Sequence, residues 1–412
     1  MVMEIDLGPA AEKFRDELRQ WLEANRPEDL DPDAGERGAA AAPTAPGAWA
    51  RLRAWTDKLA EAGYMCVSWP EEFGGRGLTG IEVAVMNEEF ARAKVPRVTR
   101  GMGEWLVGPS IIVHGSDEQK AKFLPRIISG KDRYCQGFSE PDAGSDLAGL
   151  KTRGVVDGEE IVITGQKVWT SGAQMANMMF CLCRTDPEAP KHQGISYVLV
   201  PMKTGDGESN GIELRPLRQM TGNSGFCETF LTEARAPLFN IIGGLNNGWR
   251  VTMTTLGNER GGNATTQHVR FQRQFWRLVD EAKRLGRNED PVVRQELARA
   301  YTKTELMRYA GLRTLSEVVA RKEPGPGASI NKMFWSEYAR DLGEWTMNLR
   351  GAHSMIRPDG EGDGYALDRW QSEFLGSRSG TIWGGTAQVQ RNIVGERVLG
   401  LPKEPGHNDE DK

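Results

Sequence analysis

The chain has few of the residues that build metal sites and disulfide frames. Its 412 residues include five cysteines and five histidines, and neither set shows the CxxC or HExxH spacing typical of zinc sites. Odd in number and scattered, the cysteines predict reduced, mostly buried thiols, as in a cytoplasmic protein. No apolar run approaches the roughly 18 residues that a membrane-spanning helix needs. We therefore expect a cytoplasmic protein without a metal site, a disulfide frame or a membrane span.

Charge and N-terminal composition exclude further classes. The net charge of −5 is spread along the chain rather than gathered in blocks. Because nucleic-acid binding needs a cationic surface that neutralises phosphates, no nucleic-acid partner is expected. The first residues contain no cationic segment followed by an apolar one, so no signal peptide is expected. With 39% hydrophobic and 26% charged residues, the composition is that of a globular protein long enough for two or three domains.

Hydrophobic periodicity divides the chain into three segments. Helical spacing covers residues 1–133, where Ser116 is a candidate N-cap for a helix over residues 117–128. The period changes to two over residues 134–244, where an Asp157-Gly158 turn predicts a hairpin. Further strands are predicted at residues 178–183, 195–202, 212–217 and 228–231. Helical spacing returns over residues 245–402, and the polar residues 403–412 predict a frayed tail.

The order of these segments predicts the fold class. Strands follow one another without intervening helices, which favours an antiparallel sheet over a Rossmann unit. We expect an α+β protein with an N-terminal α-helical domain, a middle antiparallel β domain and a C-terminal helical bundle. Residues 34–47 and 322–327 are rich in glycine and proline and predict breaks between helices. The C-terminal helices are predicted at residues 251–257, 269–285, 292–320, 330–349 and 388–399.

A glycine-rich segment matches a nucleotide-binding pattern only by spacing. Gly75-Arg-Gly-Leu-Thr-Gly80 fits GxGxxG, which holds a pyrophosphate when it follows a strand and opens a helix inside a βαβ unit. No strand pattern precedes it here. The segment is therefore predicted to be an ordinary glycine-containing turn and not a cofactor motif.

A more informative loop begins the middle segment. The stretch from Cys135 to Leu147 brings together Ser139, Gly144 and Ser145, with a proline and an aspartate beside them. Such a loop can offer backbone N–H groups and hydroxyls to a flat polar ring or a phosphate. The same composition suits an ordinary turn-rich loop at the entry to a sheet, and the residues alone leave both interpretations open.

A tryptophan with two hydroxyls follows about twenty residues later. In Gly165-Gln-Lys-Val-Trp-Thr-Ser-Gly172, Trp169 stands next to Thr170 and Ser171. The indole could cover an aromatic ring while a hydroxyl bonds the heteroatoms of that ring. A core tryptophan at a strand end is an equal interpretation of this segment by itself.

Together these motifs resemble the signatures of the acyl-CoA dehydrogenase family. Ser139-Glu-Pro-Asp-Ala-Gly-Ser-Asp146 and Gly165-Gln-Lys-Val-Trp-Thr-Ser171 are similar to two of them. Trp383-Gly-Gly-Thr-Ala-Gln-Val-Gln-Arg391 is similar to the late Tyr-Glu-Gly-Thr signature. The glycine-rich segment that begins at Trp69 resembles an N-terminal glycine-rich segment of the family. The resemblance covers nearly the whole chain, in order.

The resemblance implies FAD as cofactor and an acyl-CoA thioester as substrate, oxidised between its α and β carbons to the trans-2-enoyl-CoA. Trp169 would cover the flavin ring, and Ser171 would reach the ring near its hydride-accepting nitrogen. The implied cofactor-binding set is Gln136, Phe138, Ser139, Ser145, Trp169, Thr170, Ser171, Thr386 and Gln388. The implied substrate-binding set is Ser145, Arg260 and Gly385. The family also implies an electron-transfer flavoprotein as electron acceptor, a homodimer or homotetramer, and a place in fatty acid or lipid metabolism.

Two departures from the family matter. Residues 283–288 replace the Arg-x-x-Phe-Gly stretch with which many members reach the FAD of a neighbouring subunit, so the contacts to the adenine end stay unassigned. Gly384 stands where the late signature carries its catalytic glutamate. The stretch from Leu256 to Arg260 resembles the Leu-x-x-Glu-Arg of a subset whose base lies on the first helix of the C-terminal domain. This implies Glu259 as base, while Gly384 would still offer its N–H to the thioester carbonyl.

Two alternative functions and one question about the acyl group remain open from the sequence. The chain could be an acyl-CoA oxidase or another oxygen-using flavoenzyme on the same scaffold, because fold does not fix function. It could also be a catalytically silent subunit of a hetero-oligomer, given Gly384. Small residues after Glu259 (Gly261, Gly262 and Ala264) would leave space for a bulky or branched acyl group, but close helix packing explains them equally well.

Overall fold

The computed structural model describes residues 7–27, 30, 47–261, 267–319, 328–356 and 367–403. It divides into two compact units, the first made of residues 1–218 and 223–259 and the second of residues 219–222 and 260–412. Helices come first, then a sheet, then helices again, which is the predicted order. The predicted breaks at residues 34–46 and 322–327 and the tail at 404–412 lie outside the described residues. None of the described helices is long and apolar enough to cross a bilayer.

The described residues of the first unit begin with five helices: α1 (Pro9–Asn25), α2 (Ala48–Glu61), α3 (Gly80–Ala93), α4 (Gly108–His114) and α5 (Asp117–Ile128). The helical spacing of Phe14, Leu18 and Leu22 is explained by their burial in the core. Ser116 is the N-cap of α5, as predicted, because its hydroxyl accepts a hydrogen bond from the Gln119 N–H at 3.2 Å. The helix α4 was not predicted, and a π-helical turn over Gly103–Val107 precedes it.

The GxGxxG segment lies in a loop, as predicted. It follows a short 3-10 turn over Glu71–Phe73, and Gly80 opens α3. A Cβ on Gly75 would lie 2.0 Å from the Trp69 carbonyl oxygen. Close approach of the backbone, not phosphate binding, therefore accounts for the glycine at that position.

The sheet has eight strands: β1 (Tyr134–Gly137), β2 (Arg153–Asp157), β3 (Glu160–Ser171), β4 (Met178–Arg184), β5 (Ile195–Pro201), β6 (Ile212–Leu217), β7 (Phe226–Pro237) and β8 (Ile241–Ile242). Their order is β6-β7-β3-β2-β4-β5-β8, and β1 pairs with β4. The predicted hairpin is β2–β3, in which Asp157 pairs with Glu160 around Gly158 at φ +61°. Most pairs are antiparallel, but β1 runs parallel to β4 and β2 makes one parallel contact with β4.

The central strands are buried on both faces. Phe180 and Leu182 of β4 pack into the core shared with the helices, whereas Cys181 and Cys183 pack into a second core on the opposite face. This alternation follows from the period of two along a strand. All five cysteines are buried with free thiols: Cys66, Cys135, Cys181, Cys183 and Cys227.

The described helices that follow the sheet are α6 (Gly248–Gly261), α7 (Gln267–Arg284), α8 (Pro291–Val319), α9 (Ala328–Arg350), α10 (Arg369–Gly380) and α11 (Ala387–Ile393). The α6 helix runs from the first unit into the second. The core of the second unit is formed by α7, α8 and α9, where Phe271, Leu278, Met307 and Tyr338 are buried. The helix α10 was not predicted, although Asp368 caps it through the Gln371 N–H at 2.8 Å.

Candidate active site

The loop after β1 carries the first predicted set of flavin contacts. Phe138 places its ring in the core, edge-on to Phe180 at 5.3 Å between ring centres. Only its backbone is therefore left for a ligand. Ser139 is half-buried, and within the described part of the chain its hydroxyl has no hydrogen-bond partner. Gln136 is half-buried on β1, beside Phe180 of β4, and Ser145 is exposed.

Trp169 is held in an unusual backbone conformation. Its φ is +61°, in the left-handed region that residues other than glycine rarely adopt. The pairing of β3 with β7 shifts register between Lys167 and Thr170, so a β-bulge surrounds the tryptophan. The indole is 60% exposed and contacts the edge of Phe226 at 6.2 Å between ring centres. The bulge therefore presents a large aromatic face away from the core.

The two hydroxyls next to Trp169 differ in environment. Thr170 is fully buried, and its hydroxyl oxygen lies 3.0 Å from that of Thr229. Ser171 is half-buried, and no partner for its hydroxyl exists among the residues that the structure describes. Of the two predicted contacts, Ser171 is the one whose side chain is available to a ligand.

A buried ion pair joins the loop after β1 to strand β3. The Lys167 ammonium bonds the Glu140 carboxylate at 2.8 Å and the Phe138 carbonyl at 3.1 Å. Glu140 also accepts from the N–H groups of Lys151 at 2.7 Å and Thr152 at 2.8 Å. Burial disfavours the charge of Glu140, but Lys167 and these N–H groups hold its pKa below the usual range.

Backbone bonding completes this connection. The Ser139 carbonyl accepts a hydrogen bond from the Val168 N–H at 2.9 Å. Ser139 and Trp169, from separate sequence motifs, thus lie on directly connected backbone segments. Seven of the nine predicted flavin contacts lie in the first unit, on these connected segments and the residues around them.

The predicted base lies on α6. Glu259 and Arg260 fall in its last turn, but their side chains lie outside the described residues, as do Gly262 and Ala264. Earlier in α6, the Thr255 hydroxyl is 2.7 Å from the Ser110 hydroxyl of α4. His114 Nε2 lies 2.8 Å from the Thr254 hydroxyl. These bonds fix α6 against α4 immediately before the position of the predicted base.

The late signature forms a separate cluster, in the second unit. Residues 381–386, here termed the glycine loop, contain Gly384 at φ +63° and Gly385 at φ +87°. Within the described residues of this unit, neither glycine N–H donates a hydrogen bond. Thr386 caps α11 by accepting from the Val389 N–H at 3.2 Å, and Gln388 is exposed. The loop therefore offers two adjacent backbone donors.

Two side chains hold the carbonyls of the glycine loop and its flank. The Lys332 ammonium bonds the carbonyls of Gly380 at 2.9 Å and Gly385 at 2.8 Å. Gln390 donates from its amide to the Gly384 carbonyl at 3.0 Å. Because a peptide unit is planar, the held Gly384 carbonyl fixes the direction of the Gly385 N–H, and the held Gly385 carbonyl fixes that of the Thr386 N–H.

The sequence alone did not identify the two buried lysines. One signal was present for Lys167: it continues the alternation that buries Ile161 and Ile163 on β3. A comparable signal existed for Lys332, which shares a helix face with the buried Ser329 and Ser336. A lysine on a buried face must find acceptors, and both find backbone carbonyls.

These residues fit a flavin. An exposed indole, unpaired hydroxyls and backbone N–H groups suit a large aromatic ring with hydrogen-bonding edges. No cluster of three metal-binding side chains occurs in the described ranges. Such groups are those of a flavin-dependent oxidoreductase, with the exposed indole in the first unit and the free amides in the second.

Comparison with known proteins identifies the family. Models of the N-terminal, middle and C-terminal domains of acyl-CoA dehydrogenase match residues 9–131, 135–234 and 246–399. Acyl-CoA dehydrogenase IpdE1 of Mycobacterium tuberculosis is 41% identical over 397 residues, which cover 95% of this chain and 98% of that protein. The chain belongs to the acyl-CoA dehydrogenase family. It is therefore an oxidoreductase, and FAD is the cofactor of its family.

Solved structures agree with this assignment. The Tcur3481-Tcur3483 steroid ACAD is 34% identical with a TM-score of 0.80, over 97% of this chain and 100% of that chain. The ChsE4-ChsE5 complex from Mycobacterium tuberculosis is 28% identical with a TM-score of 0.76, over 98% of this chain and 100% of that chain. The predicted fold class, enzyme class and cofactor are confirmed.

Proposed function

We propose that the chain catalyses FAD-dependent α,β-dehydrogenation of an acyl-CoA thioester, giving the trans-2-enoyl-CoA. The observation that carries the proposal is Trp169, presented by a bulge beside the free hydroxyl of Ser171. FAD, when bound, supplies the acceptor for the hydride that leaves the β carbon. Trp169 covers the flavin ring, while Ser139 and Ser171 bond its edge, with Gln136, Ser145, Thr386 and Gln388 completing the set.

Glu259 is the base in this proposal. The reaction needs a carboxylate beside the α carbon, and Gly384 supplies none. Position 259 follows Thr255 by one helical turn, and Thr255 is fixed against α4 by the Ser110 hydroxyl. Arg260 and Ser145 would contact the CoA portion.

Gly384 and Gly385 stabilise the charge that develops on the thioester carbonyl. Donors held in place before the reaction cost no reorganisation when the charge forms. Gln390 orients the Gly385 N–H by holding the Gly384 carbonyl, and Lys332 holds the loop in place through the Gly380 and Gly385 carbonyls. In the proposed reaction the proton therefore moves to Glu259 while the glycine loop holds the oxygen.

The acyl group is bulky and ring-bearing in this proposal. Support comes from relatives: one of the similar solved structures is described as a steroid ACAD. Two of these structures are described by paired names, Tcur3481-Tcur3483 and ChsE4-ChsE5. We therefore propose that a second acyl-CoA dehydrogenase chain is the assembly partner, in place of the homo-oligomer that the sequence predicted. An electron-transfer flavoprotein is the proposed electron acceptor.

Anaerobic titration tests the function. The FAD-loaded protein is mixed with butyryl-, palmitoyl- and ring-bearing acyl-CoA thioesters, and loss of flavin absorbance is followed. Glu259→Gln should bind FAD normally and reduce it at least about 100-fold more slowly, because general-base catalysis is worth that much. Glu188→Gln, at an exposed loop position, is the matched control.

Each alternative has its own outcome. Near-normal reduction in Glu259→Gln would exclude Glu259 as base. If no thioester reduces the wild-type flavin, alone or with a partner chain, the silent-subunit alternative holds. Rapid reoxidation by air would indicate an oxidase.

A further inference from the structure

Arg97, in the segment after α3, has fewer partners than a covered guanidinium normally finds. Its Nη1 donates a hydrogen bond to Oδ1 of Asn87, a residue of α3, at 2.5 Å. Its Nε is covered by protein and has no partner, and Nη2 makes no hydrogen bond within the described part of the chain. The edge of the guanidinium formed by Nε and Nη2 is therefore without an acceptor.

Asn87 is likewise used on one side only. Its Oδ1 accepts from Arg97, whereas its Nδ2 is covered and unpaired. The orientation of this amide follows from its neighbour, because exchanging Oδ1 and Nδ2 would place two donors against each other. Covered donors are almost always paired in folded proteins. The Asn87 amide therefore adds a second donor that lacks an acceptor, next to the guanidinium.

The charge of Arg97 also lacks a partner. Other arginines with a covered, unpaired nitrogen contact a carboxylate at 3.0, 2.6 and 2.8 Å, namely Arg76, Arg350 and Arg378. Arg97 forms no ion pair with any residue that the structure describes. Burial lowers the pKa of its guanidinium, but an arginine stays charged at neutral pH. A cation that has lost water without gaining a counter-ion is unfavourable.

Glu104, in the π-helical turn before α4, attracts Arg97 without touching it. The Glu104 carboxylate accepts instead from the Arg100 N–H at 2.8 Å. Burial raises the pKa of this carboxyl, although Arg97 opposes the shift. The Arg100 side chain has its own acceptor, the Ile128 carbonyl at 2.7 Å. Arg97 is therefore left with one distant carboxyl whose charge burial disfavours.

The backbone before Arg97 is held in place. The Trp55 indole N–H donates to the Pro96 carbonyl at 2.8 Å, and the Val95 N–H donates to the Phe90 carbonyl at 3.2 Å. Both Trp55 and Val95 are buried. A site that is ordered before its ligand arrives loses less entropy on binding.

We propose that Arg97 and Asn87 bind a carboxylate group of a ligand, through the guanidinium and amide nitrogens that have no acceptor in the protein. A planar guanidinium edge matches the two oxygens of a carboxylate. Both residues are half-buried, and Nη2 is unpaired but not covered, so a ligand can approach from that side. The carboxylate could belong to a free carboxylic acid or to an acyl-CoA with a second carboxylate. Only the second source rests on the dehydrogenase function proposed above.

Equilibrium dialysis of the FAD-loaded full chain, without oxygen, measures binding whether or not the flavin is reduced. One arm uses adipate as the free carboxylic acid. The other compares adipoyl-CoA with hexanoyl-CoA, which has the same chain length but no terminal carboxylate. Arg97→Met removes the guanidinium, and the control Arg53→Met removes one at an exposed position of α2.

Arg97→Met should lower the affinity for adipate, or the preference for adipoyl-CoA, at least about tenfold, as expected for a lost charge-assisted hydrogen bond. Arg53→Met should match wild type. Arg97→Lys keeps the charge but not the planar edge, so it should lose about tenfold as well. Neither variant removes a protein ion pair, so urea unfolding should begin no earlier in Arg97→Met than in wild type.

The outcomes are independent of the proposed function. Adipate binding that both Arg97 variants lose supports a free acid as ligand. Tighter binding of adipoyl-CoA than of hexanoyl-CoA, lost in both variants, supports a substrate carboxylate, even if no acyl-CoA reduces the flavin. The proposal is overturned if adipate does not bind and the terminal carboxylate adds no affinity. It is also overturned if either effect persists in Arg97→Met or Arg97→Lys, even if hexanoyl-CoA reduces the flavin.

Discussion

Lys167→Met keeps the length of a buried side chain and removes the ammonium that Glu140 needs. Lys167 is fully buried and Glu140 is 7% exposed. The replacement leaves the carboxylate with the N–H groups of Lys151 and Thr152 but without a positive charge at 2.8 Å. An ionised group left buried without its partner costs about 3–5 kcal/mol. Because two N–H donors remain, we expect the lower end, about 3 kcal/mol of unfolding free energy.

The same replacement should weaken FAD binding. Lys167 also bonds the Phe138 carbonyl, next to Ser139, and so connects the loop after β1 to β3, the two segments proposed to contact the flavin. A double variant, Lys167→Met with Glu140→Gln, removes both charges and should recover about 1–2 kcal/mol of the loss, because no uncompensated charge remains. Recovery of stability without recovery of FAD content would separate the positioning effect from the stability effect.

Urea unfolding followed by tryptophan fluorescence measures the stability, and flavin absorbance after gel filtration measures the bound FAD. The control is Lys191→Met, which breaks the exposed contact of Lys191 with Asp146 at 3.3 Å. Exposed pairs are worth about 0–1 kcal/mol, so this control should resemble wild type. The reasoning is refuted if Lys167→Met costs less than about 1 kcal/mol and retains its full flavin content.

Three further predictions concern the glycine loop, acid stability and the bulge. Lys332→Met should slow flavin reduction by acyl-CoA about tenfold or more with FAD content unchanged, because the glycine loop loses its bonds at 2.8 and 2.9 Å and the amides proposed to hold the thioester carbonyl lose their fixed position. Stopped-flow absorbance measures the rate. Burial disfavours the charge of Glu89, but Arg19 and Arg92 lower its pKa to about 2. The stability that the charged Glu89 contributes is therefore complete above the ordinary pKa of 4.5 and is lost as the pH falls towards 2. In acid unfolding, the free energies of unfolding of wild type and Glu89→Gln should therefore differ at neutral pH and converge as the pH approaches 2. Trp169→Gly should relieve the strain of a left-handed φ yet lower FAD affinity, measured by fluorescence titration, because it removes the indole proposed to cover the flavin.

Each of these predictions has a contrary result. A Lys332→Met enzyme that lost its FAD or reduced it at the wild-type rate would remove the positioning role. Glu89→Gln that differed from wild type equally at pH 2 and pH 7 would show that the ion pairs do not supply the acid-sensitive stability. Unchanged FAD affinity in Trp169→Gly would remove the indole from the cofactor site.

Local signals in the sequence were sufficient for much of the fold. Ser116 marked the start of α5 because a capping hydroxyl acts within one turn of its own helix. Asp157 and Gly158 marked a hairpin for the same local reason. The helix α10 was not predicted because glycines and serines interrupt its apolar spacing. Its packing against α9 stabilises it instead.

The candidate site shows the limit of local signals. The motifs named Trp169 and Ser171, but the left-handed φ of Trp169 comes from a register shift against β7, a distant strand. Likewise, Thr170 and Ser171 look equivalent in the sequence, and only the partner hydroxyl of Thr229 distinguishes them. Contacts between distant segments decide such differences, and single-segment patterns do not contain them.

Because of where the cysteines lie, their alkylation can report which part of the chain unfolds. All five buried thiols lie in the first unit, within residues 66–227, and the second unit has none. Burial raises the pKa of Cys66, Cys135 and Cys183, and only a thiolate that meets solvent reacts with an alkylating reagent. Alkylation followed by peptide mass spectrometry would therefore time the exposure of the helical core at Cys66 separately from that of the β core. It would remain silent when the second unit alone unfolds, so the difference between alkylation and tryptophan fluorescence would isolate the opening of that unit.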